Sequence, residues 1–442
     1  MRILIYSYNY HPEPIGIAPL MTQLAEGFAN RGHDVRVVTG MPNYPQRCIY
    51  PDYRGQFYST ERVNGVMIQR CYVWVRPKPG LIARALLDVS FVVTSFFQAL
   101  RGWRPDVILL TVPPLPVALP AALLKWLYKC PIVLNVQDIL PEAAVKVGLL
   151  RNKIAIRILE ALERFAYQQA DQISVIAEDF TSNLLGKNVP ACKIACIPNW
   201  VDVNEVYPTP LKGNGFRKEQ GIDDDQFVVM YSGNIALTQS IKTVVEAAAQ
   251  LTHMPKIIFV VVGEERAIAD LESDCSKYGA TNVKRLHFQS RENLSEMLAA
   301  ANVGLIVQKS NVVSFNMPSK TQLLLASGRP IIASVPLTGT AASAVRQSGG
   351  GIIVPPECPD ELAAAILDLY HSPGQAEHLG HRGRAYAVQH YSFDSSLARY
   401  EALLSQLVPL KWMEQGIHRP LPQTGIAQET IEVPASVSHR SE

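Results

Sequence analysis

The sequence predicts an α/β protein made of two doubly wound domains, each a parallel sheet covered by helices on both faces. The chain has 442 residues, more than a single hydrophobic core usually supports. Short apolar runs rich in β-branched residues alternate with helical patterns almost from end to end. This alternation pauses once, near Pro198, in a polar stretch rich in proline and glycine that predicts a linker.

Apolar runs predict the strands of both halves. In the first half they are Ile3–Tyr6, Val35–Thr39, Val107–Leu110, Ile132–Val136 and Ile173–Ile176, with helical segments that include Leu20–Asn30 and Ile154–Gln169. In the second half they are Phe227–Tyr231, Ile257–Val262, Val303–Val307, Ile331–Ala333 and Ile352–Val354. Ligands of such sheets bind beyond the carboxyl ends of the strands, which here predicts a cleft between the domains.

We place the first domain at residues 1–205 and the second at 206–390. A helical pattern within 391–408, strongest over Ser395–Leu407, predicts a helix that packs back on the first domain. Residues 409–442 are polar and aperiodic, which predicts a disordered tail.

Composition excludes several classes of protein. A hydrophobic content of 48% and a charged content of 18% are typical of a globular protein. The seven cysteines are scattered and form no C-x-x-C pair, which argues against a disulfide framework and a zinc site and fits a reducing cytoplasm. The amino-terminal M-R-I-L-I-Y-S-Y predicts a strand rather than a signal peptide.

Positive charge is concentrated at the amino-terminal end. Residues 1–104 hold twelve Lys and Arg against six Asp and Glu, whereas the whole chain carries only +2. Such a surface suits an anionic membrane or a phosphorylated acceptor; an ordinary solvated surface is the alternative. Within it, the apolar segment 80–104 contains Arg84, Arg101 and Arg104 and predicts an interfacial helix, which makes the protein cytoplasmic and peripheral on the membrane. A core helix packed on the sheet is the alternative.

One stretch has the length of a membrane span but not its chemistry. Residues 107–124 are 18 uncharged residues that include Pro113, Pro114, Pro116 and Pro120. Prolines remove backbone hydrogen bonds that a spanning helix needs. We therefore predict a buried strand, a turn and a core helix.

Two segments of the second half have the chemistry of a diphosphate site. Gly233 and Asn234 end an apolar strand just before a helical pattern, where glycine lets the backbone approach a phosphate. Further on, Pro318 marks a predicted first helical turn, so Ser319 and Lys320 lie among free N–H groups. Lys309 ends the preceding strand on the same side of the sheet. Glycine used for steric reasons and solvated surface lysines are the alternatives.

The first half contains a loop and two carboxylates that we expect to face the predicted cleft. In the turn-rich loop 11–19, we expect Gly16 to let the loop close over a ligand bound in the cleft. The segment 135–142 ends a core strand and presents Asp138 and Glu142 toward the cleft as candidate catalytic carboxylates. A helix cap is the alternative role for Asp138.

Two familiar signals do not fit. The acidic run Asp223–Asp225 contains the D-x-D pattern of metal-dependent transferases, but it precedes a strand and so lies at the wrong end of the sheet. The first strand lacks the G-x-G-x-x-G of nicotinamide enzymes. We therefore expect no metal, no other cofactor and no nucleic-acid partner.

An ordered set of motifs over residues 1–408 resembles glycosyltransferase family 4, and most closely its colanic acid and exopolysaccharide branch. The motifs are Y-N-Y-H-P-E-P-I-G-I, R-G-H-D-V-R-V-V-T, Q-D-I-L-P-E, L-E-R-F-A-Y-Q-Q-A-D, I-P-N-W-V-D, Y-S-G-N and P-S-K…A-S-G-R-P. The resemblance implies a GT-B fold, in which two Rossmann-like domains face each other. It also implies retention at the anomeric carbon, no metal, and a donor diphosphate held by the second domain.

The sequence departs from the family where many members hold the donor. The positions of a common glutamate pair hold Phe315 and Leu323, those of an Arg and a Lys hold Asn234 and Gln239, and that of a histidine holds Gln137. We expect the lysines at 309 and 320 to replace the lost charge.

The resemblance implies transfer of a hexose or deoxyhexose from a GDP- or UDP-linked donor to a lipid-linked saccharide. Colanic-acid-like polysaccharide, other exopolysaccharide and O-antigen are the products that fit. A nucleotide-sugar epimerase of the GT-B fold and a non-catalytic scaffold are the two alternatives.

Overall fold

A computed structural model describes residues 1–408 except positions 15, 78–79, 147, 236–237, 313–317 and 319, and except the side chains of Leu81 and Arg266. Ser319, Phe315 and the predicted tail at 409–442 therefore lie outside the described residues. Two sheets follow one another along the chain.

The first sheet has eight strands in the order β3-β4-β2-β1-β5-β6-β7-β8. They are β1 (Arg2–Tyr6), β2 (Asp34–Gly40), β3 (Tyr58–Val63), β4 (Val66–Cys71), β5 (Val107–Val112), β6 (Ile132–Val136), β7 (Gln172–Val175) and β8 (Ile194–Cys196). Neighbours pair in parallel except β3, which runs antiparallel to β4. The carboxyl ends of the parallel strands therefore share one edge.

The second sheet has six parallel strands in the order β11-β10-β9-β12-β13-β14. They are β9 (Phe227–Ser232), β10 (Ile257–Gly263), β11 (Val283–His287), β12 (Val303–Val307), β13 (Ile331–Ser334) and β14 (Gly351–Val354). The chain order reverses between β9 and β12, so this pair marks the topological switch point where such sheets bind ligands.

Helices cover both faces of each sheet. In the first domain they are α1 (Ala18–Asn30), α2 (Leu81–Ala99), α3 (Ala118–Tyr128), α4 (Glu142–Lys146), α5 (Lys153–Gln169) and α6 (Glu178–Gly186). In the second they are α7 (Gly215–Glu219), α8 (Ile241–Gln250), α9 (Glu265–Tyr278), α10 (Leu294–Ala299), α11 (Lys320–Ala326), α12 (Thr340–Ser348), α13 (Pro359–His371) and α14 (Pro373–His390), followed by α15 (Phe393–Leu407). The apolar core lies in layers between sheet and helices.

The chain crosses between the two sheets twice. After β8 it passes through Trp200, whose indole N–H donates to Gln23 in α1 at 2.9 Å. It returns through α15, where Tyr400 and Leu404 are buried in the apolar layer next to α1. The side chain of Glu401 accepts hydrogen bonds from His33 and Arg31 of the first domain. The predicted boundaries near residues 205 and 390 remain predictions.

The predicted strands are all present, and most of the strands that were not predicted lie at sheet edges. Every strand expected from an apolar run occurs within two residues of its predicted bounds. The strands not predicted are β3, β4, β8 and β11. Three of these lie at sheet edges and β4 is next to one. Edge strands are partly exposed and need no continuous apolar run, so β3 (Y-S-T-E-R-V) and β11 (V-K-R-L-H) alternate with polar residues.

Three helices of the first domain, α2, α3 and α5, pack side by side and leave many large apolar side chains exposed. The prediction of a core helix after β5 is therefore wrong for the outer side of α3, where Trp126 is 79% exposed. We call these exposed residues the apolar face: Ile82, Leu86, Val89, Val93, Phe97, Leu119, Leu123, Trp126, Leu127, Ile154 and Ile158.

Helix α2 is attached to the sheet through its inner side. Phe91 is fully buried there, and Ser95 and Gln98 hydrogen-bond to Tyr6 and to the backbone of Arg70. By length and composition alone, residues 82–99 are also long and apolar enough to cross a membrane, with a mean hydropathy of 1.4. The polar contacts of the inner side place α2 on the domain surface, with its apolar residues outward.

Candidate functional site

The carboxyl ends of β9 and β12 lie side by side in the second domain. Gly233 follows β9 with φ +130°, in the left-handed region that favours glycine, and its N–H donates to Val262 at 3.1 Å. A Cβ at this position would stand 3.3 Å from Cε of Lys320. The backbone conformation therefore favours glycine, and a Cβ would also press on the end of the Lys320 side chain. The following residue, Asn234, is exposed and accepts a hydrogen bond from the Tyr231 hydroxyl through its carbonyl at 2.9 Å.

The ammonium of Lys320 is buried next to Gly233. Its Nζ lies 3.7 Å from the centroid of the Tyr231 ring. The atom has no solvent contact and no hydrogen-bond partner in the described part of the chain, although the residue as a whole is half-buried. Burial lowers the pKa of Lys320 to about 7. A buried amine with free donors suits an anionic group, which would pair with it and restore its charge.

The same strand ends and α11 hold further buried polar atoms without hydrogen-bond partners among the described residues. They are Oε1 of Gln239, Nε2 of Gln308, Oγ1 of Thr321 and Oε1 of Gln322. Buried polar groups in proteins are normally paired, so this concentration indicates a place where a polar ligand or water completes the bonding. These four residues were not among the predicted site residues. The sequence feature that could have indicated them is the position of polar residues beside or within apolar runs.

Lys309 lies on a loop that reaches the first domain. Its backbone N–H donates to Thr238 at 3.0 Å, which ties the end of β12 to the loop after β9. Two residues further on, the Asn311 amide donates to the carbonyl of Lys146 in α4 at 3.3 Å. Val312 is fully buried in the apolar core of the first domain. This loop therefore brings the candidate donor residues against the segment that follows β6.

Asp138 lies in that segment, two residues after β6. Its carboxylate makes no hydrogen bond or ion pair with any described residue. Burial raises the pKa of Asp138 to about 6. Among the described residues, no backbone N–H of α4 donates to it, so these residues give no sign of the alternative role as a helix cap. Asp138 is thus a half-buried carboxylate whose acceptor atoms no described residue engages.

An amide cluster supports the backbone beside Asp138. The Gln137 side chain donates to Asn135 at 2.8 Å and exchanges hydrogen bonds with Asn199 from the interdomain linker. Gln137 is where many family members carry a histidine. Here its amide is used to connect β6 to the linker.

Glu142, unlike Asp138, is fully engaged in hydrogen bonds and ion pairs. Its carboxylate accepts from Asn183 of α6 at 2.8 Å and forms ion pairs with Lys146 and Lys187 at 2.6 and 3.6 Å. Burial alone would raise the pKa of Glu142, but these hydrogen bonds and charges lower it overall. A carboxylate so engaged suits the positioning of α4 and α6 rather than contact with a reacting group.

The loop before α1 is held in place by Glu13, which was not among the predicted site residues. Gly16 is exposed with φ +73°, and a Cβ there would meet no atom within 4 Å. Glu13, only 4% exposed, accepts from the backbone N–H groups of Asn43 and Tyr44, both at 2.8 Å. Burial raises the pKa of Glu13. The loop after β1 is thereby bound to the loop after β2.

The described residues contain no group of three or more His, Cys, Asp or Glu side chains able to hold a metal ion. The acidic run precedes β9, at the opposite end of the strand from Gly233. There Asp225 pairs with Lys256 at 3.0 Å, and Asp224 accepts from the backbone of Gly213.

The geometry combines two chemical capacities. The second domain offers a buried ammonium and side-chain amide and hydroxyl groups without partners among the described residues, which together can hold an anionic leaving group. The first domain offers the half-buried carboxylate of Asp138 across the bridging loop, which can stabilise positive charge or accept a proton.

Comparison with known proteins identifies relatives among the glycosyltransferases. A family model described as a glycosyl transferase 4-like domain matches residues 16–200, and one for glycosyl transferases group 1 matches residues 214–386. A colanic acid biosynthesis glycosyl transferase of Escherichia coli (strain K12), WcaI, is 31% identical over 83% of this chain and 91% of its own length. The glycosyltransferase WbjE of Pseudomonas aeruginosa is 28% identical over 77% of this chain and 85% of its own.

Solved structures share the architecture at low identity. Sucrose-phosphate synthase from Thermosynechococcus elongatus aligns over 92% of this chain and 99% of its own, with a TM-score of 0.73 and 18% identity. Anabaena HepE, in complex with UDP and glucose, aligns over 92% and 100%, with a TM-score of 0.68 and 16% identity. At these identities the likeness shows the fold alone. With the family models and the relatives, it shows that the chain is a glycosyltransferase of family 4 with the GT-B fold.

Proposed function

We propose that the protein is a retaining glycosyltransferase that moves a hexose or deoxyhexose from a nucleotide-sugar to a lipid-linked saccharide during assembly of an exopolysaccharide or a related envelope polysaccharide. One observation carries the proposal: the ammonium of Lys320 is buried beside the left-handed Gly233 and has no hydrogen-bond partner among the described residues. This pair suits the diphosphate of a donor, because an anion would supply the partner that the ammonium lacks.

In the proposed mechanism the second domain stabilises the leaving diphosphate. Lys320 and the backbone beyond Gly233 would hold the anion, with Asn234, Lys309 and Ser319 as further donor-binding residues. Fixed donors that need no reorganisation stabilise charge developing in the transition state, which is commonly the largest catalytic term. Gly16 would let the first-domain loop close over the donor and exclude water.

Asp138 would act on the sugar side of the breaking bond. Its carboxylate would stabilise positive charge on the sugar or orient the acceptor hydroxyl. Glu142 would position the segment that carries Asp138, through its ion pairs with Lys146 and Lys187. Retention of configuration is part of this proposal.

A nucleotide donor is supported by proteins of similar fold. HepE of Anabaena has been crystallised with UDP and with UDP-glucose, and a colanic acid transferase is among the relatives. Whether this chain takes UDP- or GDP-linked sugars is open within the proposal. A scaffold without catalytic activity is disfavoured, because it would have no use for a buried ammonium that no described residue pairs with and that opposes folding.

Donor binding should be independent of divalent metal. The described residues hold no ligand cluster near Gly233, and Lys320 would supply the charge that a metal otherwise provides. In calorimetric titrations with UDP and GDP, we expect one of them to bind with a Kd that changes less than roughly twofold in excess EDTA, whereas a bridging metal contributes several kcal/mol. Binding that appears only with Mg²⁺ or Mn²⁺ would contradict metal independence. Failure to bind either nucleotide would favour the scaffold.

The apolar face of α2, α3 and α5 supports a peripheral position on the cytoplasmic surface of a membrane. Exposed cations lie on or next to the same helices: Arg84, which faces Asp88, and Lys129, Arg151, Lys153 and Arg157, which form no ion pair with a described residue. Arg101, which the sequence assigned to lipid headgroups, instead lies over the Tyr58 ring at 4.4 Å. We therefore propose docking by apolar insertion assisted by charge, rather than by charge alone.

Replacing the apolar face should abolish vesicle binding. In flotation with vesicles that contain phosphatidylglycerol, we expect the wild type to float and the variant Val89→Gln/Val93→Gln/Phe97→Gln to remain at the bottom. Each of these side chains is at least half exposed, so the melting temperature should hardly change. High salt should weaken wild-type flotation without eliminating it, because charge supplies about 1 kcal/mol per basic residue. A variant that floats like the wild type would contradict this account.

A further inference from the structure

A second groove lies at the ligand edge of the first sheet and has no part in the donor site. It has a volume of about 250 Å³ and lies between the loop after β2 and the segment after β4. Its lining residues are Arg47, Cys48, Ile49, Arg54, Tyr72, Val73, Val75 and Pro77. The volume is below the roughly 300–1,000 Å³ of sites that enclose a whole small molecule, so the groove suits a compact headgroup.

Two exposed arginines are the only charged residues in the described lining, and most of their donors make no hydrogen bond with a described residue. The Arg47 side chain makes no hydrogen bond or ion pair with any described residue. Arg54 donates through Nε to the carbonyl of Ile49 at 3.2 Å, and its Nη2 only approaches the Cys48 sulfur at 3.9 Å. No carboxylate belongs to the described lining. Guanidinium groups recognise phosphate, because their planar donors match two oxygens at once.

The elements that line the groove are joined to the loop before α1, and they precede the apolar face along the chain. Glu13 binds the backbone of Asn43 and Tyr44, so the loop that carries Arg47 is tied to the loop before α1. The last lining residue along the chain is Pro77, five residues before Ile82, which belongs to the apolar face and is 78% exposed. An amphiphile with a phosphate between a sugar and a long hydrocarbon tail would match the sequence of these features: the loop before α1 for the sugar, the groove for the phosphate and the apolar face for the tail.

We propose that this groove binds the phosphate or diphosphate of the lipid-linked acceptor, with Arg47 and Arg54 as its ligands and the apolar face receiving the hydrocarbon tail. The inference rests on the proposed function for the identity of the acceptor. It adds a specific headgroup site: the enzyme would distinguish a prenyl phosphate from the bulk phospholipids of the same surface. The acceptor saccharide would then point along the loop toward Asp138.

The test compares two kinds of anionic vesicle with the full chain. Phosphatidylcholine vesicles carry either a polyprenyl monophosphate or phosphatidylglycerol at equal surface charge, and apparent Kd values come from flotation. The variant is Arg47→Asn/Arg54→Gln, since asparagine tolerates the left-handed backbone of Arg47, whose φ is +54°. The control, Arg62→Gln/Lys218→Gln, removes two exposed cations elsewhere.

We expect the wild type and the control to bind the prenyl phosphate vesicles at least about tenfold more tightly than the phosphatidylglycerol vesicles, as one or two charge-assisted hydrogen bonds provide. The groove variant should lose this preference while still binding both vesicles and keeping its melting temperature. The proposal is overturned if the variant keeps the preference, or if the wild type shows none. Nucleotide calorimetry on the same samples separates the two claims: intact nucleotide binding without the lipid preference refutes only the groove.

Discussion

Lys320→Met should reduce kcat/KM for the donor by on the order of 10²–10³ without loss of stability. The ammonium is the one buried cation beside Gly233 in the described part of the chain, and methionine preserves most of the side-chain volume against the Tyr231 ring. Because a buried charge without a partner opposes folding, its removal should leave the melting temperature unchanged or raise it. Initial rates and thermal unfolding of purified variants measure both effects.

A matched control isolates the position of the charge. Lys218→Met makes the same chemical change on an exposed residue of the second domain, and it should behave as the wild type. Wild-type rates for Lys320→Met would refute the diphosphate assignment. A melting temperature well below that of the wild type would instead assign a structural role to Lys320.

Asp138→Asn should reduce kcat by on the order of 10²–10⁴, the range of a positioned acid, base or charge-stabilising carboxylate. The pH profile adds a second signature. Burial raises the pKa of Asp138 to about 6 and lowers the pKa of Lys320 to about 7. The carboxylate is charged above its pKa and the ammonium below its own. In the free enzyme, kcat/KM should therefore fall below about pH 6 and above about pH 7.

The variant and a neighbouring glutamate test this assignment together. Asp138→Asn should remove the acid limb of the profile and keep the alkaline one. Glu142→Gln breaks ion pairs to Lys146 and Lys187, so it should lower the melting temperature with a much smaller loss of kcat. An acid limb that persists in Asp138→Asn would show that another group titrates there.

The sequence predicted the fold well because parallel strands buried on both faces are continuous apolar runs. Ile132–Val136 and Val303–Val307 were predicted at their observed bounds for this reason. The donor half was predicted in outline, since Gly233 and Lys320 lie at strand and helix ends that local patterns reveal. Their contact could not be predicted, because it depends on where the tertiary packing of α11 places Lys320 relative to the end of β9.

The rest of the site depends on contacts between residues far apart in the chain, and the local sequence around each residue does not indicate these contacts. Glu13 acts on a loop thirty residues away, and the role of Glu142 is decided by Lys187 and Asn183 of another helix. The apolar face was anticipated only on α2, because the exposure of Trp126 follows from how α3 packs on its neighbours. Arg101 was assigned to a lipid surface because a sequence does not show that Tyr58 lies beneath it.

The most direct test of the central claim is a transfer assay. The purified protein is incubated with a panel of UDP- and GDP-linked sugars and a lipid-linked acceptor extract, and the products are identified by mass spectrometry. The account predicts that one donor is consumed only when acceptor is present, with release of free nucleoside diphosphate and an acceptor heavier by one sugar residue. Conversion of a donor to its isomer without acceptor, or consumption of no donor at all, would contradict it.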